Sequence, residues 1–528
     1  MDLTRLIDAL SSTEAYPHPC DAVRVLQTHI SAVFLAGPYA YKIKKPVDLG
    51  FLDFTTLDRR RHFCHEEVRL NRRLAPRVYL GVLPVTVHQG QVRVDGEGEV
   101  VEWAVWMRRL PEEATLLSRV ARGGLDAPTL GELARRVADF HASAERGPHV
   151  ARFARWDVVA RNARENFDQT RDHVGRAVHP RVHGRARERT EALLEDLRDL
   201  VEARAERGVP CDTHGDLHLD HVYLFPGRSD PDRWVIIDCI EFNERFRFAD
   251  PVSDAAFLVM DLAYRGRRDL AGAFAEAYAA AAEDAEGQAL LPFYTAYRAA
   301  VRAKVEGMAA CEPEVPPADR DRALASARAH WLLALGELEP PVRRPGLVGV
   351  GGLPGTGKST LARALAGELG FTVIASDRVR KELAGLAPDE PAPAAFGEGI
   401  YTPAWTERTY RACLDRAGQA LFRGERVLLD ASFRQERWRR RLLDAAREWG
   451  VRGALLLCEA PPDEVRRRLA RRTRDPSDAD WQVYRAMAEH WEPLGPETAR
   501  ASFAVPTGGS PRRALAAARE HLAAAGLA

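Results

Sequence analysis

Apolar and polar positions change period several times along the chain, and each change predicts an element. "AVFLAGPYAYKIKKPV" (32–47) alternates about a Gly-Pro turn and predicts two strands. "RRRHFCHEEVRLNRRLA" (59–75) has helical spacing, while "YLGVLPVTVHQGQVRV" (79–94) and "VEWAVWMRRL" (101–110) return to the period of strands. From about 128 the pattern becomes mostly helical, as in "LGELARRVADFHASA" and "RTEALLEDLRDLVEARAERG". A strand-loop-strand segment from 211 to 242 interrupts it. "RALASARAHWLLALGEL" then runs into "EPPVRRPG" (339–346), whose three prolines and one glycine predict a linker. Beyond it, the apolar runs "GLVGV", "FTVIA", "RVLLD", "GALLLC" and "SFAVP" alternate with helical segments. Five such runs predict a doubly wound parallel sheet of about five strands.

The expected organisation is therefore a domain at 1–338, with a small lobe of strands to about 110 and a helical lobe after it. A linker at 339–346 and an α/β domain at 347–528 follow. A length of 528 residues agrees with two or three domains. Formal net charge is zero, which gives no global attraction to nucleic acid or anionic lipid. No apolar stretch is long enough to span a membrane. The opening "MDLTRLIDAL" lacks the layout of a signal peptide, and seven scattered cysteines form no CxxC pair; both point to a reducing cytoplasm. Only six lysines stand against about seventy arginines: Lys42, Lys44, Lys45, Lys304, Lys358 and Lys381. Four of them, Lys42, Lys44, Lys45 and Lys358, fall in the motifs that follow.

"GLPGTGKS" matches G-x-x-x-x-G-K-[ST] through Gly352, Gly357, Lys358 and Ser359, between a predicted strand and a predicted helix. Backbone N–H groups of such a loop wrap phosphates, and the helix N-terminus adds partial positive charge. Gly355 and Thr360 complete the candidate nucleotide-binding set, Lys358 reaches the terminal phosphates, and Ser359 is a candidate Mg2+ ligand. Past the second strand of this domain stand Asp377, a candidate base for an acceptor hydroxyl, and Arg380, a candidate partner of the transferring phosphoryl group. Asp377 as a simple helix cap is the plainer alternative. Asp430, ending "RVLLD", is the second candidate Mg2+ ligand. Arg468, Arg471, Arg472 and Arg474 suit either a lid over the phosphates or a solvated helix face.

The second motif is "THGDLHLDHVYLF" (213–225), followed by a turn and "RWVIIDCIEFN". A loop Asp, a metal-side residue five positions on and a later Asp are what a protein-kinase-like lobe requires. Asp216 is then the candidate base, His221 the metal-side residue and Asp238 the main Mg2+ ligand. Upstream, Lys42 is the candidate lysine for the nucleotide phosphates, with Lys44 as alternate, and Glu67 rather than Glu66 its helix partner. A transition-metal site built from the same histidines and aspartates is a competing reading.

On "HGD" at 214–216, "DCIEFN" from 238 and "DPVSDAAFL" from 250, residues 1 to about 338 resemble the aminoglycoside phosphotransferase family, a branch of the kinase-like α+β fold. His221 departs from the Asn usual there. Asp250 and Asp254 are expected to tie the catalytic loop to the helical lobe. Residues from 346 resemble the AAA-type P-loop kinases related to gluconate kinase and polynucleotide 5′-hydroxyl kinases. The two resemblances together imply a bifunctional bacterial kinase that uses ATP and Mg2+ on a small-molecule hydroxyl acceptor. A nucleotide-binding regulator with a silent domain and a nucleic-acid 5′-hydroxyl kinase are the alternatives.

Overall fold

The computed structural model describes residues 2–312, 315–387, 390, 392, 397–471 and 479–528. They form two compact units: 1–160, 197–263 and 267–294 make up the first, and 161–196, 264–266 and 295–528 the second.

The first unit is built on six antiparallel strands: β1 (Val23–Gln27), β2 (Ser31–Ala36), β3 (Tyr39–Lys44), β4 (Tyr79–His88), β5 (Gln91–Val94) and β6 (Glu99–Arg108), in the order β1-β2-β3-β6-β4-β5. One face of this sheet buries Phe34, Tyr41, Ile43 and Val85 together with Leu6 and Leu10 of an N-terminal helix. The other carries Ala40, Val105 and Met107, packed with Cys64 and Val68 of the helix Leu57–Asn71. That helix starts where Thr56 accepts a bond from the Arg59 N–H, an N-cap that the threonine type favours.

Two short antiparallel pairs follow. β7 (Cys211–Asp212) pairs with β10 (Phe248–Ala249), and β8 (Val222–Leu224) pairs with β9 (Trp234–Ile236). They frame the segment that the sequence reads as a catalytic loop. Asp250 begins the helix Pro251–Tyr264 by accepting from the Val252 N–H, and the buried Arg204 grips it at 2.7 and 3.1 Å. The same guanidinium bonds Asp284 at 2.7 Å, so three separated segments of the unit meet on one cation.

The second unit contains five parallel strands: β11 (Gly346–Gly351), β12 (Thr372–Ala375), β13 (Arg426–Asp430), β14 (Arg452–Glu459) and β15 (Ser502–Pro506), ordered β12-β13-β11-β14-β15. β11 is buried along its whole length, as a central parallel strand covered on both faces must be. Val348, Val350, Leu361, Leu365, Leu428 and Leu456 lie in its core. The α+β kinase-like fold and the α/β P-loop fold are thus both present.

The second unit also takes in 161–196 and 295–338, segments that precede the proline-rich stretch. Trp331 lies 5.6 Å from Phe167 and 5.4 Å from His183, ring centre to ring centre. Arg185 bonds Glu339 at 2.9 Å and the Gly424 carbonyl at 2.8 Å. Gly450, at φ +65°, sits so close to the Ala329 carbonyl that a Cβ there would lie 2.3 Å from its oxygen.

Replacing Arg204 by Met should lower stability by about 3–5 kcal/mol, because it strands Asp250 and Asp284 without their shared cation. Urea unfolding followed by tryptophan fluorescence measures it. Arg204→Lys should recover little, since one ammonium cannot make the paired bonds of the planar guanidinium.

Candidate functional site

Alternation along β3 puts Ala40, Lys42 and Lys44 on one face of the sheet. Lys42 remains 12% exposed and Lys44 only 1%, so Lys42 is the one open to a ligand. The helix Leu57–Asn71 delivers the fully buried Glu67 between them: Lys42 Nζ lies 2.9 Å from Glu67 Oε1, and Lys44 Nζ 2.8 Å from Oε2. Glu66 turns away and pairs with Arg69 at 2.7 Å. Lys42 also meets Asp238 Oδ1 at 2.5 Å, while Lys44 meets Glu241. Lys42 and Glu67, expected as a pair from the sequence, therefore meet, and Asp238, expected as a metal ligand, joins them.

The charges in this cluster hold one another. Burial opposes the Lys42 ammonium, but Asp238, Glu67 and Glu241 outweigh it, and its pKa lies well above the ordinary lysine value. Burial likewise opposes both carboxylates, yet Lys42 pulls Asp238 and Glu67 below the ordinary carboxylate range, with Lys44 adding to the pull on Glu67. Glu241 moves upward, because its burial outweighs Lys44.

Asp238 adopts φ +65°, a left-handed conformation that an Asp enters at some cost. Its N–H donates to Tyr79 Oη at 3.2 Å, and the next N–H, of Cys239, donates to Asn71 Oδ1 at 2.9 Å. Neither Tyr79, Asn71 nor Glu241 was expected from the sequence. For Glu241, the signal present is its place three residues beyond Asp238 in "DCIEFN".

The loop at 213–221 is clamped by Asp254, whose carboxylate accepts the His214 and Gly215 N–H groups at 2.8 and 2.9 Å. Gly215 is at φ +85°, and a Cβ there would come within 2.9 Å of the Phe246 carbonyl oxygen. His214 Nε2 donates to the Ile237 carbonyl at 3.0 Å, so its Nδ1 is left to accept the Asp216 N–H at 3.3 Å. Burial lowers its pKa to about 4, which keeps it neutral at pH 7. His214 thus ties the loop to the residue preceding Asp238 rather than acting on substrate. His221 Nδ1 donates to the Asp216 carbonyl at 2.9 Å, and its Nε2 faces Asp238 Oδ2 at 3.5 Å. Asp216, His218 and His221 bring ligand atoms within 4.8 Å of one another. Tyr223, Ile237 and Val33 pack onto the apolar patch of Ala40, Val105 and Met107.

In the second unit the phosphate loop follows β11 directly. Gly352, Gly355 and Gly357 take φ of +138°, +79° and +91°, and a Cβ at Gly352 would lie 2.6 Å from the Cys458 carbonyl oxygen. Lys358 opens the helix Lys358–Leu369 and spans the loop to the Leu353 carbonyl at 2.9 Å. Ser359 and Thr360 are exposed in its first turn. Asp430 ends β13 in register with Val350 of β11 and Ala375 of β12. The helix Ser376–Leu383 begins at the end of β12 with Ala375 as N-cap, so Asp377 lies in its first turn and is not the cap. Arg380 is buried one turn on, bonds the Ile400 carbonyl at 2.6 Å and lies over the Tyr401 ring at 5.0 Å.

Arg468 leans on the loop: its Nη2 donates to the Thr507 carbonyl at 2.7 Å, and its Nη1 would lie 3.5 Å from a Cβ at Gly357. Thr507 in turn donates to the Thr356 carbonyl at 2.5 Å. Arg471 is exposed, and Arg472 and Arg474 lie outside the described residues. Among the described residues, no helix is long and apolar enough to cross a membrane.

Asp238 and Glu67 titrate below the ordinary carboxylate value of about 4, so the stability they contribute is present above that value and is lost as pH falls through it. Lys42→Met removes the cation and raises the Asp238 pKa. The folded variant then takes up a proton that the unfolded chain does not, and its stability should rise between pH 7 and 5, where the wild type is flat at these groups. Urea midpoints measured across this range check the rise in the variant against the flat wild type.

The profile of the phosphotransferase enzyme family matches residues 52–294, and that of an AAA domain matches 347–494. An uncharacterized protein of Mycobacterium tuberculosis (strain H37Rv) and another of Mycobacterium bovis are each 33% identical over 466 residues, spanning 88% of this chain and 89% of theirs. Among solved structures, a gluconokinase from Sinorhizobium meliloti 1021 aligns with 34% of this chain and 94% of its own at 21% identity and a TM-score of 0.26. An amicoumacin kinase aligns with 63% and 93% at 13% identity and a TM-score of 0.37. The chain belongs to the family of these mycobacterial proteins, and it joins a phosphotransferase-family domain to an AAA-type P-loop domain in one polypeptide.

Proposed function

We propose that this protein is an ATP-dependent phosphotransferase that moves the γ-phosphate of ATP to a hydroxyl of a small molecule, with two separate nucleotide sites. The observation that carries the reading is Lys42, held at 2.9 Å from Glu67 and 2.5 Å from Asp238, which in turn faces His221 of the Asp216 loop at 3.5 Å. A buried glutamate aims the lysine, which suits an ammonium meant for phosphate oxygens. The partly buried Val33, Tyr223 and Ile237, packed against Ala40 and Met107, supply the apolar contact for a purine.

In the first site Asp216 takes the proton of the acceptor hydroxyl as that oxygen bonds to the γ-phosphorus. The bond from phosphorus to the β–γ bridging oxygen breaks, and ADP departs. Lys42 offsets the charge on the transferring oxygens. In the second site the loop N–H groups and Lys358 cradle the phosphates, Asp377 takes the acceptor proton and Arg380 steadies the phosphoryl group. The oxygen donors Asp430 and Ser359 suit a hard cation such as Mg2+, which would neutralise phosphate charge in the second site.

Labelled γ-phosphate transfer from ATP into a metabolite extract, resolved by mass, tests the reading. Asp216→Asn should lower one product about 10²–10⁴-fold, as loss of a general base does. Lys358→Ala should remove a different product. A single product lost only with Lys358→Ala would leave the P-loop domain as the working kinase and the first domain as a sensor. No product from any variant, with ATP binding intact, would replace the proposal by a nucleotide-binding regulator.

A further inference from the structure

His221 stands at the metal side of the first site, yet its donor atom is a nitrogen. The Asp216 carbonyl can only accept, so the 2.9 Å bond from His221 Nδ1 puts the ring proton on Nδ1 and leaves a lone pair on Nε2. That lone pair faces Asp238 Oδ2 at 3.5 Å. The other oxygen of Asp238 is engaged by Lys42, so Oδ2 is the one turned to the ring. Two acceptor atoms aimed at each other repel unless a cation lies between them. Ligands held about 2.0–2.2 Å from one ion, with angles between roughly 90° and 109°, sit about 2.8–3.6 Å apart, and 3.5 Å falls in that interval.

Both donors are also held rigidly. The Ile237 N–H donates to the His221 carbonyl at 3.0 Å, which locks the ring's segment to the residue before Asp238. A backbone carbonyl that fixes the tautomer of a histidine is the usual support of a metal-ligating imidazole. His218 is placed differently. Its Nδ1 accepts the Asp220 N–H at 3.4 Å, so its Nε2 carries the proton and points toward Asp216 Oδ2 at 3.6 Å. A hard cation such as Mg2+ prefers an all-oxygen set, and His221 does not fit it.

We propose that His221 Nε2 and Asp238 Oδ2 form a mixed nitrogen–oxygen site for a borderline divalent cation such as Mn2+ or Co2+, taken in preference to Mg2+. This goes beyond the phosphotransferase reading and rests on it only for the role of the metal, not for its binding. His218 then faces the carboxylate of Asp216 at 3.6 Å and is not a ligand.

The test uses the full chain carrying Lys358→Ala, to weaken nucleotide retention by the P-loop, with Mn2+ and the methylene analogue of ATP. That analogue has no bridging nitrogen to confuse the signal. Pulsed electron paramagnetic resonance should show coupling of bound Mn2+ to one imidazole nitrogen. His221→Asn should abolish the coupling and shift the Mn2+/Mg2+ competition at least tenfold toward Mg2+, whereas His218→Asn should preserve it. Coupling absent from the starting protein, retained in His221→Asn, or lost in His218→Asn instead would overturn the assignment. Failure to bind the nucleotide analogue would count against the phosphotransferase reading of this site. The metal site is then judged by Co2+ titration without nucleotide, where visible absorption bands that do not differ between the starting protein and His221→Asn would overturn it.

Discussion

A carboxylate with no exposed surface, Glu67, stays charged because two ammonium groups share it, one on each oxygen. The geometry of the first site depends on that arrangement. Removing either partner from a buried pair leaves an uncompensated charge, which costs far more than the pair contributes while intact. Lys44 closes the cluster from behind through Glu241, so Lys42 is the member that keeps an exposed face. The helix Leu57–Asn71, strand β3 and the segment after β9 are therefore held in one relation by charge, with Asn71 and Tyr79 fixing the backbone at Asp238.

The second unit meets the same electrostatic demand by different means. Its phosphate loop uses three glycines at positive φ and backbone N–H groups, where the first site uses side chains on a sheet. The parallel sheet brings Asp430 and the helix that carries Asp377 and Arg380 to the ends of adjoining strands. That is where an open α/β sheet exposes its strand termini to ligands, here on one side of the central strand. The first site needs many long-range ion pairs to stay in register, and the second needs mostly its strand order.

That difference decides what could be read from the sequence. The phosphate loop is a local pattern of glycines, Lys358 and Ser359 between a strand and a helix, and it was legible as such. So were Lys42, Glu67 and Asp238, because strand and helix periods put each on a definite face. The partnership of Lys44 with Glu241 was not, since 197 residues separate them and no periodicity links them. The left-handed backbone of Asp238 was hidden too, because its supports, Tyr79 and Asn71, lie in other elements. His221 was visible as a departure from the usual Asn, but its tautomer depends on a carbonyl five residues away that only the folded loop brings back to it. The segments 161–196 and 295–338 carry no mark of belonging with the P-loop strands.

Those segments bear on how the polypeptide can be dissected. A protein cut at the proline-rich stretch, the natural place to trim an expression clone, would be severed inside one compact unit rather than between two. The P-loop fragment would lose Glu339 and Arg185 from beside Gly424, and Ala329 from beside Gly450, and would bare the surface that they cover. The two folds in this chain are consequently poor modules for exchange: shuffling the first at the linker would carry away part of the second's scaffold.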